Sequence, residues 1–371
     1  MNNSESQTNA SNDMIAQTSN PIEQKANSIF QHGPCLICGK ADASKTNSHL
    51  VPSFLVAMYS SYDNSGKRGK ELQFSITSTG RSIHVGSIPD TKYEEIFDVS
   101  TLENEERIKE LMNDPNATDY VFCTTCEKLL ADYLEAPYAD SIKNNKGIDG
   151  SVAYFFWLSI IWRMDACEMH FGFHLDEYIS NLLHHQLASL FDNNGIINDK
   201  SKPRPEIFNY KLLYCPGFCK NTQKGLQYCN YKAGVLTFII ADFILIGFFG
   251  GVNSLPDDYM FECLRPWINE AMVNDGTEGT EHKLEIGNDV MEDAINAFKS
   301  HAVKIKVTHY VEIIVGLWKQ LRIPLPLNDQ IIQEIIGEVF SEDLKLAERD
   351  TIPSTAAAIK SVLMKHGVFV R

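Results

Sequence analysis

The sequence predicts an α+β protein in which a small cysteine-bearing domain precedes a larger, mostly helical domain with a few strands. Three observations lead to this prediction. Two Cys-x2-Cys pairs lie between residues 35 and 126, and short segments of alternating polarity lie between the pairs. Most segments after residue 150 place apolar side chains at helical spacing. With 371 residues, 44% of them hydrophobic, the chain can bury a sizeable core in two or three domains.

Composition divides the first part of the chain. Residues 1–28 are rich in Asn, Ser, Thr and Gln and have few large apolar side chains, so we expect a disordered tail. Residues 29–140 hold both cysteine pairs and form the predicted first domain. A long insertion over residues 60–118 carries two short strands, in ELQFSIT and SIHVGSI, and a helix at Leu102–Met112.

A polar segment, DSIKNNKGIDG at residues 140–150, marks the predicted boundary with a second domain at residues 151–371. We expect strands over Lys211–Gly251. Apolar side chains recurring with period 3.6 predict five helices in this domain, at Ser151–His170, Leu175–Phe191, Tyr259–Val273, Val290–Phe298 and Asn328–Phe340. Asn328 or Asp329 is suited to cap the N-terminus of the last helix.

One apolar segment, GVLTFIIADFILIGFFGGV at Gly234–Val252, approaches the length of a membrane span. Asp242 lies at its centre, and β-branched and aromatic residues dominate it. The segment therefore favours two buried strands that meet near Ala241–Asp242, and we expect no membrane association.

Charge and cysteine content limit the compartment and the partners. The N-terminal segment lacks a basic start followed by an apolar run, so we expect a cytoplasmic protein whose thiols favour metal over disulfides. The net charge of −15 argues against binding nucleic acid through a global basic field. A local basic site stays open, and Lys67, Arg68 and Lys70 are its candidates for steering phosphate, although a flexible loop explains SGKRGK equally well.

The two cysteine pairs predict a structural zinc site. Cys35 and Cys38 span a tight turn before Gly39, and Cys123 and Cys126 repeat this spacing at the start of a predicted helix. Four thiolates close a tetrahedron around zinc and leave no position open for catalysis. Four unrelated core cysteines are the alternative.

The order of motifs resembles the zinc-stabilised branch of the HNH endonuclease family, whose fold is the ββα-metal fold. The motifs are Ser-His-x-x-Pro at residues 48–52 and Cys-x2-Cys-Glu at residues 123–127, with a weaker similarity at LSIIWR, residues 158–163. They match a bacterial subset of that family, and the rest of the chain is not covered by the resemblance. Such proteins often belong to bacterial defence systems or mobile elements.

The resemblance implies a role for each matching residue. His49 would be the general base that activates water for attack on a phosphodiester. The family's metal ligands fall on Ser48 and Glu127, of which Glu127 suits Mg²⁺ or Mn²⁺ and the uncharged Ser48 does not. His84 or Glu135 could supply the missing ligand, and Asn116 or Asp119 could take the place of the family's middle Asn.

Structural roles remain open for the same two residues. His49 could cap the loop above the cysteine turn. Glu127 could complement the positive end of a helix dipole.

Three weaker patterns are open as well. His170 and His174 lie four residues apart, as a helical metal pair would, and Cys215, Cys219 and Cys229 match no common zinc spacing. Ordinary packing or surface positions explain these residues too. Trp157 and Trp162 are expected in the core rather than on a platform that stacks bases, and Arg163 is expected to pair with Asp165 or Glu168.

Two functions follow from the sequence. The first is a metal-dependent HNH-type endonuclease that hydrolyses DNA. The second is a catalytically silent, zinc-held scaffold that binds nucleic acid or a protein partner as a sensor or regulator, with recognition by the C-terminal domain. Ser48 and the acidic charge balance favour the second, and the sequence gives no oligomeric state.

Overall fold

The computed structural model describes residues 33–76, 81–88, 112–167, 173–277, 279–340 and 352–368 and shows a mixed α/β protein. The polar tail predicted at residues 1–28 lies outside these ranges, as does the helix predicted over Leu102–Met112 except for its last residue. Among the helices that the structure describes, none is both long and apolar enough to cross a membrane.

The N-terminal part consists of short elements around the cysteine pairs. In chain order they are β1 (Ser48–His49), α1 (Ser53–Ser60), β2 (Gln73–Ile76), β3 (Arg81–His84), β4 (Ala117–Thr118) and α2 (Thr124–Leu129). Strand β1 pairs antiparallel with β4, and β2 pairs antiparallel with β3. The two strands predicted in the insertion are thereby confirmed.

Helix α2 continues through a π-helical turn at Leu130–Glu135 into α3 (Ala136–Lys143). Pro137 lies in the first turn of α3. Proline has no N–H to donate and its ring crowds the carbonyl of the preceding turn, so the wider π-turn relieves the clash while the chain keeps its direction. Glu135 is the last residue of this π-turn.

Helix α4 (Gly150–Ala166) begins where Asp149 accepts hydrogen bonds from the N–H groups of Ser151 and Val152. It is buried on all faces, as expected for a helix that is apolar all round. Helix α5 (Glu177–Asp192) packs beside it and buries one face. Both predicted helices are confirmed, although α4 ends before the predicted His170, which lies outside the described residues.

A five-stranded sheet covers the other side of α4. Its strands are β5 (Phe208–Tyr214), β6 (Gln227–Lys232), β7 (Val235–Ile240), β8 (Phe243–Phe249) and β9 (Leu284–Glu285), with a short helix α6 (Phe218–Thr222) after β5. The order is β6-β7-β8-β5-β9, antiparallel except for the parallel pair β5–β9.

The predicted meeting point of two buried strands is confirmed at Ala241–Asp242, between β7 and β8. Ala241 adopts a positive φ of 52° at this turn. The Asp242 carboxylate accepts hydrogen bonds of 2.8 Å from the N–H groups of Gly217 and Cys219, so its burial is compensated by backbone donors.

The C-terminal part is helical. A 3₁₀ turn at Glu262–Leu264 leads into α7 (Arg265–Glu270), and α8 (Asn288–Gln320), α9 (Asp329–Val339) and α10 (Ile352–Lys365) follow β9. The helix predicted over Tyr259–Val273 is thus shorter than expected, because Pro266 favours the first turn of a helix and cannot continue one begun upstream. Asn328 caps α9, as predicted, by accepting a hydrogen bond from the N–H of Ile331.

Most of the buried residues form one hydrophobic cluster that extends from Cys35 to Ile295 and includes side chains from both sides of residues 140–150. The predicted domain boundary therefore coincides with no break in this core. A second, smaller cluster joins the end of α8 to α9 and α10, with Trp318, Ile335 and Val362 at its centre.

A buried carboxylate ties α3, α4 and β5 together. The Glu281 carboxylate accepts hydrogen bonds of 2.7–2.9 Å from the Tyr138 hydroxyl, the Trp157 indole N–H and the Tyr210 hydroxyl. The Lys283 ammonium lies 3.4 Å from the same carboxylate. Burial raises the pKa of Glu281, and Lys283 and the three donors oppose that rise.

Replacing this carboxylate should be costly. In Glu281→Ala, three buried donors lose their acceptor, and we expect a loss of about 3–5 kcal/mol in the free energy of unfolding. Urea denaturation measures it. The control is Glu292→Ala, which removes an exposed ion pair with Lys224 and should cost less than about 1 kcal/mol. Equal losses in the two variants would contradict the role of Glu281.

Candidate functional site

Four cysteine thiols meet at the N-terminal end of α2. The sulfur atoms of Cys35, Cys38, Cys123 and Cys126 all lie within 4.8 Å of one another. Sulfurs around a zinc ion at about 2.3 Å are about 3.8 Å apart, so a small contraction of this cluster would enclose an ion. The four residues predicted as ligands are therefore brought together at distances from which they could hold one metal ion.

Local backbone geometry positions the thiols. The first pair lies in a turn closed by a hydrogen bond from the Gly39 N–H to the Cys35 carbonyl, and Gly39 adopts the left-handed φ of 61° that the turn requires. The second pair lies at the start of α2, where the Cys123 sulfur accepts from the Cys126 N–H at 3.5 Å. A backbone hydrogen bond of 2.9 Å from Leu36 to Val121 joins the two turns.

The thiols also influence one another's ionisation. A hydrogen bond with Cys126 is the main cause that lowers the pKa of Cys35 to about 4, and the same bond raises the pKa of Cys126. The pair thus favours a thiolate at Cys35, and the thiolate is the form that binds metal.

His49 lies on β1 beside this cluster. Ser48 pairs with Thr118 and His49 with Ala117, so β1 and β4 form an antiparallel pair, and α2 comes next in the chain after β4. Both candidates for the family's middle Asn contact the His49 loop. The Asn116 carbonyl accepts from the Leu50 N–H at 2.8 Å, and the Asp119 carboxylate accepts from the Asn47 N–H at 2.6 Å.

The His49 ring is half-buried, and its Nε2 atom is buried without a hydrogen-bond partner among the described residues. Burial, followed by the positive charges of Arg68 and Arg163, lowers the pKa of His49 to about 4. The ring is therefore neutral at physiological pH and holds a free nitrogen that can accept a proton.

Arg163, on α4, holds the backbone of His49 in place. Its guanidinium is almost fully buried and donates to the His49 carbonyl at 2.7 Å and to the Glu135 carboxylate at 2.8 Å. The expected pairing of Arg163 with Asp165 is wrong, because the π-turn before α3 presents Glu135 instead. Asp165 accepts from the Leu175 N–H, and Glu168 lies outside the described residues.

Glu127 does not complete a metal site with Ser48. The Ser48 hydroxyl and one Glu127 oxygen are buried and make no well-formed hydrogen bond within the part of the chain that the structure describes. Burial raises the pKa of Glu127, and the nearby Ser48 hydroxyl opposes that rise. No group of three His, Cys, Asp or Glu ligands among the described residues includes Glu127 or His49. One carboxylate and a hydroxyl do not suffice for a divalent ion, so these residues do not fit the catalytic metal.

A second group of candidate ligands lies nearby, made of Glu71, His84 and Asp114. His84 was the inserted histidine expected to join Glu127, but the structure places it with the other two. Sequence reasoning missed Glu71 and Asp114, because three separate segments deliver these residues and their spacing carries no motif.

Unpaired polar atoms concentrate in this region. Eight buried side-chain atoms of the described residues have no hydrogen-bond partner, and seven of them belong to Ser48, His49, Arg68, Glu71, His84, Asp114 and Glu127. The eighth belongs to Gln186. The atoms of Arg68, Glu71 and Asp114 face one another in ion pairs, whereas those of Ser48, His49, His84 and Glu127 have no such partner in the described ranges. Buried polar atoms are nearly always paired in folded proteins, so this concentration points to a ligand or ion.

The other predicted residues have structural surroundings. Lys70 pairs with Asp63, and Arg68 pairs with Glu71 and Asp114, so of the proposed phosphate-steering group only Lys67 has no ion pair within the described ranges. Trp157 and Trp162 are buried in the core, as expected. His174 contacts Asp165, and neither it nor Cys215, Cys219 or Cys229 belongs to a metal-ligand group among the residues described.

Comparison of the chain with protein-family models, with curated protein sequences and with solved structures finds no match. The function is therefore argued from the site alone.

The thiol cluster can be tested by metal content. We expect the purified chain to carry about one equivalent of zinc, measured by atomic emission, and Cys126→Ser to lose it together with much of the stability of residues 33–143. Cys263→Ser is the matched control, because Cys263 is half-buried outside the cluster, and its zinc content should be unchanged. Equal zinc in both variants would rule out the four-thiol site.

The environment of His49 can be tested by titration. Because the folded pKa of about 4 lies below the value near 6.5 of an unperturbed histidine, the stability linked to neutral His49 is fully present above about pH 6.5. It is lost as the pH falls through about 4. We expect histidine NMR signals to show His49 neutral at about pH 5.5, and stability to fall less with acid in His49→Gln. A His49 midpoint above about 6 would contradict the burial argument.

Proposed function

We propose that the chain is a phosphodiesterase of HNH type that cleaves DNA, with a structural zinc ion at Cys35, Cys38, Cys123 and Cys126. The observation that carries the proposal is the unpaired Nε2 atom of the neutral His49 ring, on a strand that pairs with β4, the strand before α2. This is the position that the resemblance to HNH endonucleases assigns to the general base.

The geometry suits proton abstraction. A neutral imidazole with a free nitrogen can accept a proton from water as the water attacks phosphorus. The pKa of His49 is low mainly because the ring is buried, with a further contribution from Arg68 and Arg163 that Glu71 opposes. A bound phosphate would add negative charge that stabilises the imidazolium. Substrate binding would thus bring the pKa of the base closer to neutral.

The neighbours of His49 support its orientation. Arg163 holds the His49 carbonyl, and β4 holds the backbone on the other side, so the ring is carried by a rigid segment. The positive charges of Arg68 and Arg163 act on the ring, although Glu71, Asp114 and Glu135 pair with these arginines.

A second candidate function is a zinc-held scaffold that binds nucleic acid or a protein partner without cleavage. The observation that favours it is the incomplete ligand set at Ser48 and Glu127. In this case the C-terminal helices would contribute to recognition, and His49 would be retained for its place in the loop.

Plasmid nicking distinguishes the two. Zinc-loaded protein, assayed with and without added Mg²⁺ or Mn²⁺, should nick supercoiled DNA, and His49→Ala should lower the rate by about 10²–10⁴-fold, the usual contribution of a general base. The matched control is His185→Ala, an exposed histidine on α5, which should keep the parent rate. Zinc content and circular dichroism confirm that each variant is folded.

Binding of labelled DNA without cleavage by the folded parent protein would favour the scaffold. Nicking that is equal in the parent and in His49→Ala would remove His49 from the mechanism.

A further inference from the structure

The segments that carry Glu71, His84 and Asp114 are distant in the chain and meet beside β4. Glu71 lies just before β2, in a backbone bridge with Ser61, and His84 ends β3 opposite Gln73. Asp114 lies in the turn before β4. One ligand atom from each residue lies within 4.8 Å of the other two.

These side chains are buried and incompletely paired. Glu71 is 1% exposed, His84 6% and the Asp114 side chain 10%. Each keeps one buried atom without a hydrogen bond in the described part of the chain, namely Glu71 Oε1, His84 Nδ1 and Asp114 Oδ2. Glu71 Oε1 and Asp114 Oδ2 face only the partly exposed Arg68 guanidinium, and His84 Nδ1 has no partner among the described residues. Two buried carboxylates beside an unpaired imidazole nitrogen are unfavourable unless a cation compensates their charge.

Arg68 is the cation that now contacts the cluster. Its guanidinium pairs with Asp114 and lies 3.5 Å from Glu71 Oε1, yet its Nη1 atom makes no hydrogen bond among the residues described. One guanidinium therefore faces two carboxylates with incomplete hydrogen bonding. The Arg68 side chain is 27% exposed, so it can withdraw toward solvent without crossing the core.

The surrounding hydrogen bonds hold the ligands in place. The second oxygen of Asp114 accepts from the Asn116 N–H at 2.8 Å. The Asn116 amide donates to Gln73, and Gln73 donates to the Tyr59 hydroxyl at 2.6 Å. Such outer contacts orient the first ligands of metal sites.

The backbone at Gly86 also fits closely around Glu71. A Cβ atom at Gly86 would lie 3.3 Å from the Cβ atom of Glu71, and Gly86 has a positive φ of 51°. A larger residue there would press on the Glu71 side chain, so glycine allows the carboxylate its present position.

We propose that Glu71, His84 and Asp114 bind one divalent transition-metal ion, and that Arg68 occupies the cation position until the ion displaces it. Two carboxylates and one imidazole suit Mn²⁺, Fe²⁺ or Zn²⁺ and leave coordination positions open to water or another ligand. The site differs from the four-thiol cluster in ligand chemistry and in sequence. It does not depend on the nuclease proposal, because its test measures metal binding.

The experiment uses the full chain loaded with a single equivalent of zinc, so that the thiols are filled and the second site is left free for Mn²⁺. Mn²⁺ is titrated in, and free Mn²⁺ is followed by its electron paramagnetic resonance signal. We expect about one Mn²⁺ bound per chain, and at least tenfold weaker binding in His84→Ala and Asp114→Asn, since even the loss of an outer contact costs about 10–100-fold. His185→Ala and Glu127→Gln should bind as the parent does.

Arg68→Ala gives the sharpest result. Removing the competing cation should strengthen Mn²⁺ binding by about tenfold or more, a gain that unfolding cannot produce. Mn²⁺ should also raise the unfolding temperature of this variant more than that of the parent. The proposal is overturned if neither the parent nor Arg68→Ala binds Mn²⁺, or if His84→Ala and Asp114→Asn bind as tightly as the parent. Weaker binding by folded Arg68→Ala would exclude displacement of Arg68.

Discussion

The four-thiol cluster is the contact on which the N-terminal part depends. Cys38 and Cys123 are 85 positions apart in the chain, and their sulfurs lie 4.0 Å from each other. Between them lie β1, the β2–β3 pair and the turn to β4, all of which are short. Elements of two to four residues have little stability of their own, so a tie between the ends of this segment holds them in register. The same tie places His49 next to β4 and Ser48 next to Glu127.

The long insertion at residues 60–118 supplies charged side chains to the region around His49. It contributes Arg68, Glu71 and His84, and the charges of Arg68 and Glu71 act on His49. Of the basic residues in SGKRGK, Arg68 does not contribute to a surface patch. It forms ion pairs with the largely buried Asp114 and Glu71. The polar region around β4 thus contains two separate sets of groups. Ser48 and Glu127, the pair expected from the family resemblance, lack a ligand for a metal ion. Glu71, His84 and Asp114, which the insertion supplies, provide three candidate ligands.

Much of the fold was predictable because its signals are local. Asp242 at the centre of GVLTFIIADFILIGFFGGV marked the turn between two buried strands, and Asn328 marked the start of α9. The spacing of the cysteines predicted the thiol cluster for the same reason. The partners of Arg163 and Arg68 were not predictable, because long-range packing selects them. Nothing near Arg163 in sequence indicates Glu135, which reaches it through the π-turn before Pro137. Glu71 and Asp114 are ordinary surface residue types until the fold buries them.

The larger core explains how the N-terminal part can hold so many unpaired polar atoms. A buried polar atom without any partner costs about 1–3 kcal/mol, and strands of two to four residues offset little of it. The cluster of buried side chains that runs from Cys35 to Ile295 spreads this cost over the sheet and α4. Arg163 makes the connection specific, since it projects from the buried helix to the backbone of His49. The chain after residue 150 therefore supports the site mechanically, and a fragment ending near residue 143 would lack the arginine that positions His49.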